Sequence, residues 1–323
     1  MPEGTSVIDP GNKRYLKLYS GDKSIIYKAL DENGMSVTIK KYYKQKLCDY
    51  DKVHITNEID ILFSLNHRNI IKGILHNEDV RYIYIYQEFA ERGDLFDFVS
   101  RFANRRLPLV CVMNKIVYQI LQGLQYLHNL YIIHRDIKPE NILITGEFII
   151  KICDFGLSIN QKTIKPMSKV GTLEFMAPEI IDINKNLNKV TYNEKVDIWA
   201  LGCLTYELLY GISPFYDINN IKTEYRICNT KPSYNYNVDI NQFTLKFINN
   251  TLITNPNLRP SASDLLTDYS ISNIICDYTN PISMLKRITL PRNSYTTSNI
   301  RTVIIDNETR VPSPPTSACC CLT

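Results

Sequence analysis

His134-Arg135-Asp136-Ile137-Lys138-Pro139-Glu140-Asn141 follows directly on a long helical pattern and brings an acid, a cation and an amide together. Asp136 can accept a proton from a hydroxyl, Lys138 can neutralise a moving phosphoryl group, and the side-chain oxygen of Asn141 is a hard ligand suited to Mg²⁺. Any one of these residues alone reads as a polar turn between a helix and a strand. The ordered set, with Asp154-Phe155-Gly156 after it, reads as chemistry.

Together the two stretches resemble the catalytic loop and the metal-binding Asp-Phe-Gly of the protein kinase family. The resemblance covers roughly residues 14–270 and implies a two-lobed α+β fold. A small antiparallel-sheet N-lobe is expected at about 14–89 and a larger helical C-lobe at about 91–270, meeting near Phe89-Ala90. The local patterns agree. Between Tyr15 and Lys41, apolar bursts separated by Gly21-Asp22 and Asp31-Glu32-Asn33-Gly34 predict hairpin-linked strands, the third ending at Lys40. Val53, Ile55, Ile59, Leu62 and Leu65 recur at helical spacing over 51–65, and strands follow at about 70–76 and 81–89. Beyond Gly93, the positions Leu109, Val112, Ile116, Val117, Ile120, Leu124 and Leu127 trace one face of a long helix that delivers the catalytic loop. Over 196–210 apolar residues surround the axis, which predicts a helix buried on every side.

The resemblance assigns further roles residue by residue. In the glycine-rich loop the three glycine positions are Tyr19, Gly21 and Ser24, so only the middle glycine is kept. Gly21 permits close backbone approach to a phosphate, Ser24 adds a Cβ, and weaker or slower ATP binding is expected. Ile26 corresponds to the residue above the adenine and Leu143 to the one beneath it, with Glu88, Ala90 and Asp94 also assigned to the nucleotide. Lys40 ends Val37-Thr38-Ile39-Lys40, and Glu58 stands where the family's pairing carboxylate stands. The chemistry needs a cation on the phosphates and a carboxylate to hold it. Asp154 and Asn141 are the implied metal ligands, and Cys153 reads as an inert buried thiol. Gly171-Thr172 through Ala177-Pro178-Glu179 resembles the segment that seats a peptide substrate, with Thr172 joining it to Asp136 and Lys138. Glu179 is expected to pair with Arg259, and Asp197 to accept backbone donors of the catalytic loop. Ser168 is the candidate activating phosphosite, facing Arg135, with Thr163 as a competing acceptor.

Composition sets the frame for these assignments. The 323 residues can bury a large core, 44% are hydrophobic, and a net charge of +4 gives no case for nucleic acid as the partner. No run approaches 18 apolar residues. The start Met-Pro-Glu-Gly has neither a basic nor an apolar targeting region, so a cytoplasmic location is expected. Nine cysteines without a C-x-x-C pair in the body of the chain read as reduced thiols. Residues 1–13 read as a loose leader and 271–323 as a mostly disordered tail ending in Cys319-Cys320-Cys321-Leu322-Thr323. That cluster can carry lipid and bring the protein to a membrane, which stable attachment would require of two cysteines.

The expected activity is therefore transfer of the ATP γ-phosphoryl group to Ser or Thr hydroxyls of protein substrates, with Mg²⁺ and Mn²⁺ as its alternative. Lys138 and the Gly-Thr pair mark serine/threonine specificity in the family. The chain is expected to act as a monomer. The alternatives are a pseudokinase or scaffold, suggested by the degraded glycine loop, and a small-molecule phosphotransferase, disfavoured by the docking segment.

Overall fold

A computed structural model describes residues 15–185, 191–234, 238 and 240–268; the leader 1–13 and the tail 271–323 with its cysteine cluster lie outside the described residues. Five strands form one antiparallel sheet: β1 Leu16–Ser20, β2 Ser24–Leu30, β3 Ser36–Tyr43, β4 Gly73–Glu78 and β5 Tyr82–Glu88, in the order β1-β2-β3-β5-β4. Helix α1, Asp49–Ser64, connects β3 to β4. The period of two along β3 divides its side chains between the faces. Lys40 and Tyr42 reach Glu58 of α1, while Ile39, Lys41 and Tyr43 lie opposite Tyr86, Tyr84 and Tyr82 of β5. On that second face Ala29, Val37, Ile39, Tyr84 and Tyr86 form a buried cluster. Asp31 shapes the β2–β3 turn by accepting the amides of Asn33 and Met35 at 2.9 and 2.7 Å.

Two boundaries differ from the sequence reading. Strand β3 runs on to Tyr43, because β2 and β5 continue to pair with it beyond Lys40. The expected strand at 70–76 starts only at Gly73; Ile71 N donates instead to Ile152 O of the other lobe and Ile152 N to Asn69 O, which sets Ile70 beside Ile152, buried at the junction.

The second lobe is helical apart from short ladders. Its elements are α2 Leu95–Ser100, α3 Tyr118–Asn129, β6 Ile132–Ile133, β7 Ile142–Ile144, β8 Ile150–Ile152, β9 Ile159–Asn160, α4 Pro178–Ile181, α5 Lys195–Tyr210, α6 Asn220–Asn229, α7 Gln242–Thr251 and α8 Ala262–Thr267. The helix expected over 109–127 is continuous in direction, but Cys111–Val117 winds with the wider π repeat before α3 begins. That winding lets the adjacent pairs Cys111-Val112 and Ile116-Val117 all face the core. Every residue of α5 except Lys195 and Glu207 is buried, as its apolar circumference requires.

Inside this lobe a buried arginine is held by a half-buried glutamate. Arg259, 1% exposed, donates to both oxygens of Glu179 at 2.7 and 3.1 Å and to the carbonyls of Lys195 and Ile253, with its guanidinium over Trp199. Removing one member strands a buried charge. Glu179→Ala is therefore expected to cost about 3–5 kcal/mol, or roughly 6–20 °C in Tm for a domain of this size. Thermal unfolding followed by circular dichroism checks this, and a loss below roughly 3 °C would contradict it.

Candidate active site

Asp197, in the first turn of α5, holds the catalytic loop by its backbone. It accepts the amides of His134 and Arg135, both at 2.9 Å, and pairs with His128 Nε2 at 2.9 Å. Burial alone would raise the pKa of this carboxyl, but His128 and these donors hold it below the usual range. Arg135 and Asp154 adopt left-handed backbone, with φ of 69° and 63°. Each such residue stores about 1–3 kcal/mol of strain and persists only where the surroundings fix it. Its own bonded amide fixes Arg135, and Lys40 grips Asp154.

Around Asp136 the polar groups close a ring. Its Oδ1 accepts Thr172 N at 3.0 Å and Thr172 Oγ1 at 2.9 Å; its Oδ2 accepts Asn141 Nδ2 at 2.9 Å and lies 2.8 Å from Lys138 Nζ. Lys138 also donates to Thr172 Oγ1 at 2.8 Å. A carboxylate has about four acceptor positions, and all four are engaged. A reacting hydroxyl has to replace one donor, and the long Lys138 side chain and the Thr172 hydroxyl rotate more readily than a backbone amide. Gly171 makes the approach possible: a Cβ there would meet the carbonyl of Arg135 at 2.6 Å, and its φ of 109° suits glycine.

The cation of the upper lobe is Lys40. Its ammonium donates to Glu58 Oε1 at 2.7 Å and to Asp154 Oδ1 at 3.1 Å. Burial opposes its charge, yet Asp154 and Glu58 more than offset that and hold its pKa well above the usual lysine value. Lys40 in turn holds the Asp154 carboxyl below its ordinary value, while burial outweighs Lys40 at Glu58 and raises that carboxyl. Tyr42, two residues along the same strand face, donates to Glu58 Oε2 at 2.8 Å. Helix α1 is fastened to the segment after Asp154 by His54 Nδ1 against Gly156 O at 2.9 Å and by Asn57 donating to Ser158 O at 2.6 Å. Phe155, buried, packs edge-on to His134 at 5.3 Å.

The residues assigned to the nucleotide lie on β2, β5, β7 and the turns next to them. Ile26 lies opposite Lys40 in the β2–β3 ladder, and Leu143 bridges to Asp94. Asp94 caps α2 by accepting Asp97 N at 2.8 Å, and burial raises its pKa. Glu88 differs from a ligand-facing side chain: its carboxylate is engaged by Lys151 at 2.6 Å and Lys72 N at 2.8 Å, so its main chain is what it can offer. Ala90, buried, begins the turn that Gly93 closes. Gly21 closes the β1–β2 turn, its amide donating to Ser24 O at 2.9 Å. Burial pushes the Cys153 thiol pKa up, which fits the inert reading.

Asn141 spends Nδ2 on Asp136, which leaves its Oδ1 for a cation, and Asp154 supplies a second hard oxygen. Among the described residues no group of three or more His, Cys, Asp or Glu is arranged for a metal. A two-oxygen set suits Mg²⁺, which takes one or two protein ligands and completes its shell with phosphates and water. Ser168 accepts from Arg135 Nη1 at 3.1 Å, and the Tyr192 hydroxyl accepts from the same nitrogen at 3.1 Å while donating to Ser168 O at 3.0 Å.

A strand-rich lobe and a helical lobe that close on Lys40, Glu58, Asp136, Asn141 and Asp154 have the architecture of a protein kinase. The family model described as the protein kinase domain matches residues 13–270, and the chain belongs to that family. Members of the family use ATP and a divalent metal. Similar proteins include a probable serine/threonine-protein kinase of Dictyostelium discoideum, 37% identical over 211 residues, covering 64% of this chain and 32% of that protein. An Aurora kinase of Schizosaccharomyces pombe is 36% identical over 196 residues, covering 60% of this chain and 53% of its own. MAP3K epsilon protein kinase 1 of Arabidopsis thaliana is 37% identical over 207 residues, covering 62% of this chain and 14% of its own. The matches thus span from about a seventh to about half of these relatives' lengths.

Sequence reasoning missed Tyr42, His54, Asn57 and Tyr192. The first three carry a signal, since Tyr42 shares a strand face with Lys40, His54 stands one turn before Glu58, and Asn57 stands one turn after His54. It also missed Glu207. Burial first, then Glu140 and Glu174, push that carboxyl up to about 7 from 4.5. Between these values the folded chain keeps a proton that the unfolded chain releases, so stability falls as pH rises. Glu207→Gln removes that slope. It is expected to melt with wild type near pH 4.5 and to exceed it by roughly 2–8 °C at pH 8; a constant difference across pH would refute the assignment.

Proposed function

We infer that this chain is an ATP-dependent serine/threonine protein kinase that transfers the γ-phosphoryl group to hydroxyls of protein substrates, acting as a monomer. The observation that carries the reading is the intact set in one cleft: Lys40 held by Glu58, with Asp136, Asn141 and Asp154. Lys40 is placed to grip the nucleotide phosphates, and Glu58 and Tyr42 deny it other rotamers. Asn141 and Asp154 would hold Mg²⁺, whose charge offsets that of the phosphates when bound. Asp136 orients the substrate hydroxyl and takes its proton, and Lys138 neutralises charge on the transferred group. A scaffold would not need these groups in register, which disfavours the pseudokinase alternative. Lys138 and Thr172 at Asp136, together with the printed names of the relatives, support Ser/Thr specificity. Glu140, in the stretch that carries Asp136, and Glu174, in the segment that carries Thr172, are acidic, so basic generic proteins are the suitable probe.

Lys40→Met and Asp136→Asn are each expected to lower turnover at least about 10²-fold in a chain that still folds, Lys40→Met at a lowered Tm because Glu58 loses its partner. Activity of either within about threefold of wild type would remove that residue from the mechanism. Membrane attachment through Cys319–Cys321 belongs to the same reading as a separate element.

Ser168 is the proposed activating acceptor. A phosphate there would exchange the single bond from Arg135 for charge-assisted ones and order the loop. Peptide mapping of the active enzyme is expected to place a phosphate on Ser168, and full activity with residues 157–171 unmodified would exclude it.

A further inference from the structure

The β1–β2 turn has Tyr19 and Ser24 where a phosphate-covering loop has glycine, yet it is fastened at three points. Lys23 Nζ donates to both oxygens of Asp51 at 2.9 and 2.8 Å. Lys46 Nζ donates to Asp22 O at 2.9 Å, and Tyr43 N donates to Lys23 O at 3.0 Å. Asp51 belongs to the first turn of α1, where its Oδ2 also accepts Cys48 N at 2.9 Å. All three anchors therefore lie on 43–51, the stretch that leads from the strand of Lys40 into the helix of Glu58. The turn is filled from its other side as well, for the Tyr19 ring lies where a Cβ on Gly21 would meet it at 3.2 Å. Lys23, then Cys48, hold the Asp51 carboxyl down to about 2, so the pair stays charged through the neutral range.

We propose that Lys23 is a positioning residue: its ion pair with Asp51 holds the β1–β2 turn in its nucleotide-covering place and ties that turn to the helix carrying Glu58. The proposal rests on the nucleotide-dependent reading above. A glycine-rich loop has many conformations to lose when it closes on phosphates, and a loop already fixed loses fewer. The tether thereby compensates for the two absent glycines. It is a surface pair, Lys23 being about half exposed, so its contribution is small and screened by salt.

The test measures Mg²⁺-nucleotide binding by calorimetry on the full chain, with wild type, Lys23→Arg, Lys23→Met, Asp51→Asn and the Met/Asn double variant. Asn at 51 keeps an oxygen for the Cys48 amide, so the helix start is retained. At low salt each single loss is expected to weaken nucleotide Kd by about two- to fivefold, with the double variant no weaker than the singles and Lys23→Arg unchanged. Raising the salt should erase the differences, and kcat should stay within about twofold. Independently of nucleotide, hydrogen exchange at the Gly21 and Tyr43 amides should quicken in Lys23→Met. Equal affinities, additive losses, or weakening by Lys23→Met alone, which would mean direct contact with phosphate, each overturn the tether. Wild type that binds no nucleotide would overturn the nucleotide-dependent reading instead, while the exchange rates would still decide whether the tether exists.

Discussion

Lys40 is a cation that both lobes share. Bonded to Glu58 of α1 and to Asp154 at the head of Asp154-Phe155-Gly156, it fixes the strand, the helix and the cleft mouth at a single point. Isolated burial of such an ammonium is costly, and two carboxylates make it tolerable. The dependence runs in both directions, since Glu58 is 2% exposed and would be an uncompensated charge without its lysine. Tyr42 on one side and the His54 and Asn57 anchors on the other keep α1 from drifting away. The geometry of the upper lobe is therefore set by charge pairing as much as by its sheet.

Asp197 does in the lower lobe what Lys40 does in the upper. One buried carboxylate orders the backbone of His134 and Arg135, and the left-handed turn at Arg135 follows from that grip. Downstream, Gly171 presses the docking segment against the carbonyl of Arg135, which brings Thr172 to Asp136. Glu179, held by the buried Arg259, secures the far end of the same segment. Catalytic loop, docking segment and α5 thus form one polar framework inside an apolar lobe, where each group left unpaired would be expensive.

Contiguity decided how much of this was legible in the sequence. Asp136, Lys138 and Asn141 fall within one short loop, so their convergence could be read from order alone. Lys40, Glu58 and Asp154 are distant in the chain, and only their resemblance to the family's pattern joined them. The face of the long helix was read correctly, because burial imposes a period: Val112, Ile116, Ile120, Leu124 and Leu127 are all fully buried, whereas on α1 Val53, read as part of the apolar face, is 67% exposed. The π winding of Cys111–Val117 was not read, since the same apolar positions suit either repeat. Lys23–Asp51 left no trace either; surface ion pairs have no period, and a lysine beside a glycine reads as a solvated turn.

The central claim is that this cleft moves a phosphoryl group from ATP to a serine or threonine hydroxyl. Incubating the purified chain with Mg²⁺, γ-³²P-labelled ATP and a basic protein substrate, then hydrolysing the product for phosphoamino-acid analysis, tests it most directly. The account predicts label in phosphoserine and phosphothreonine, dependent on the divalent metal. Label confined to phosphotyrosine, or ATP consumed with inorganic phosphate as its sole labelled product, would contradict it.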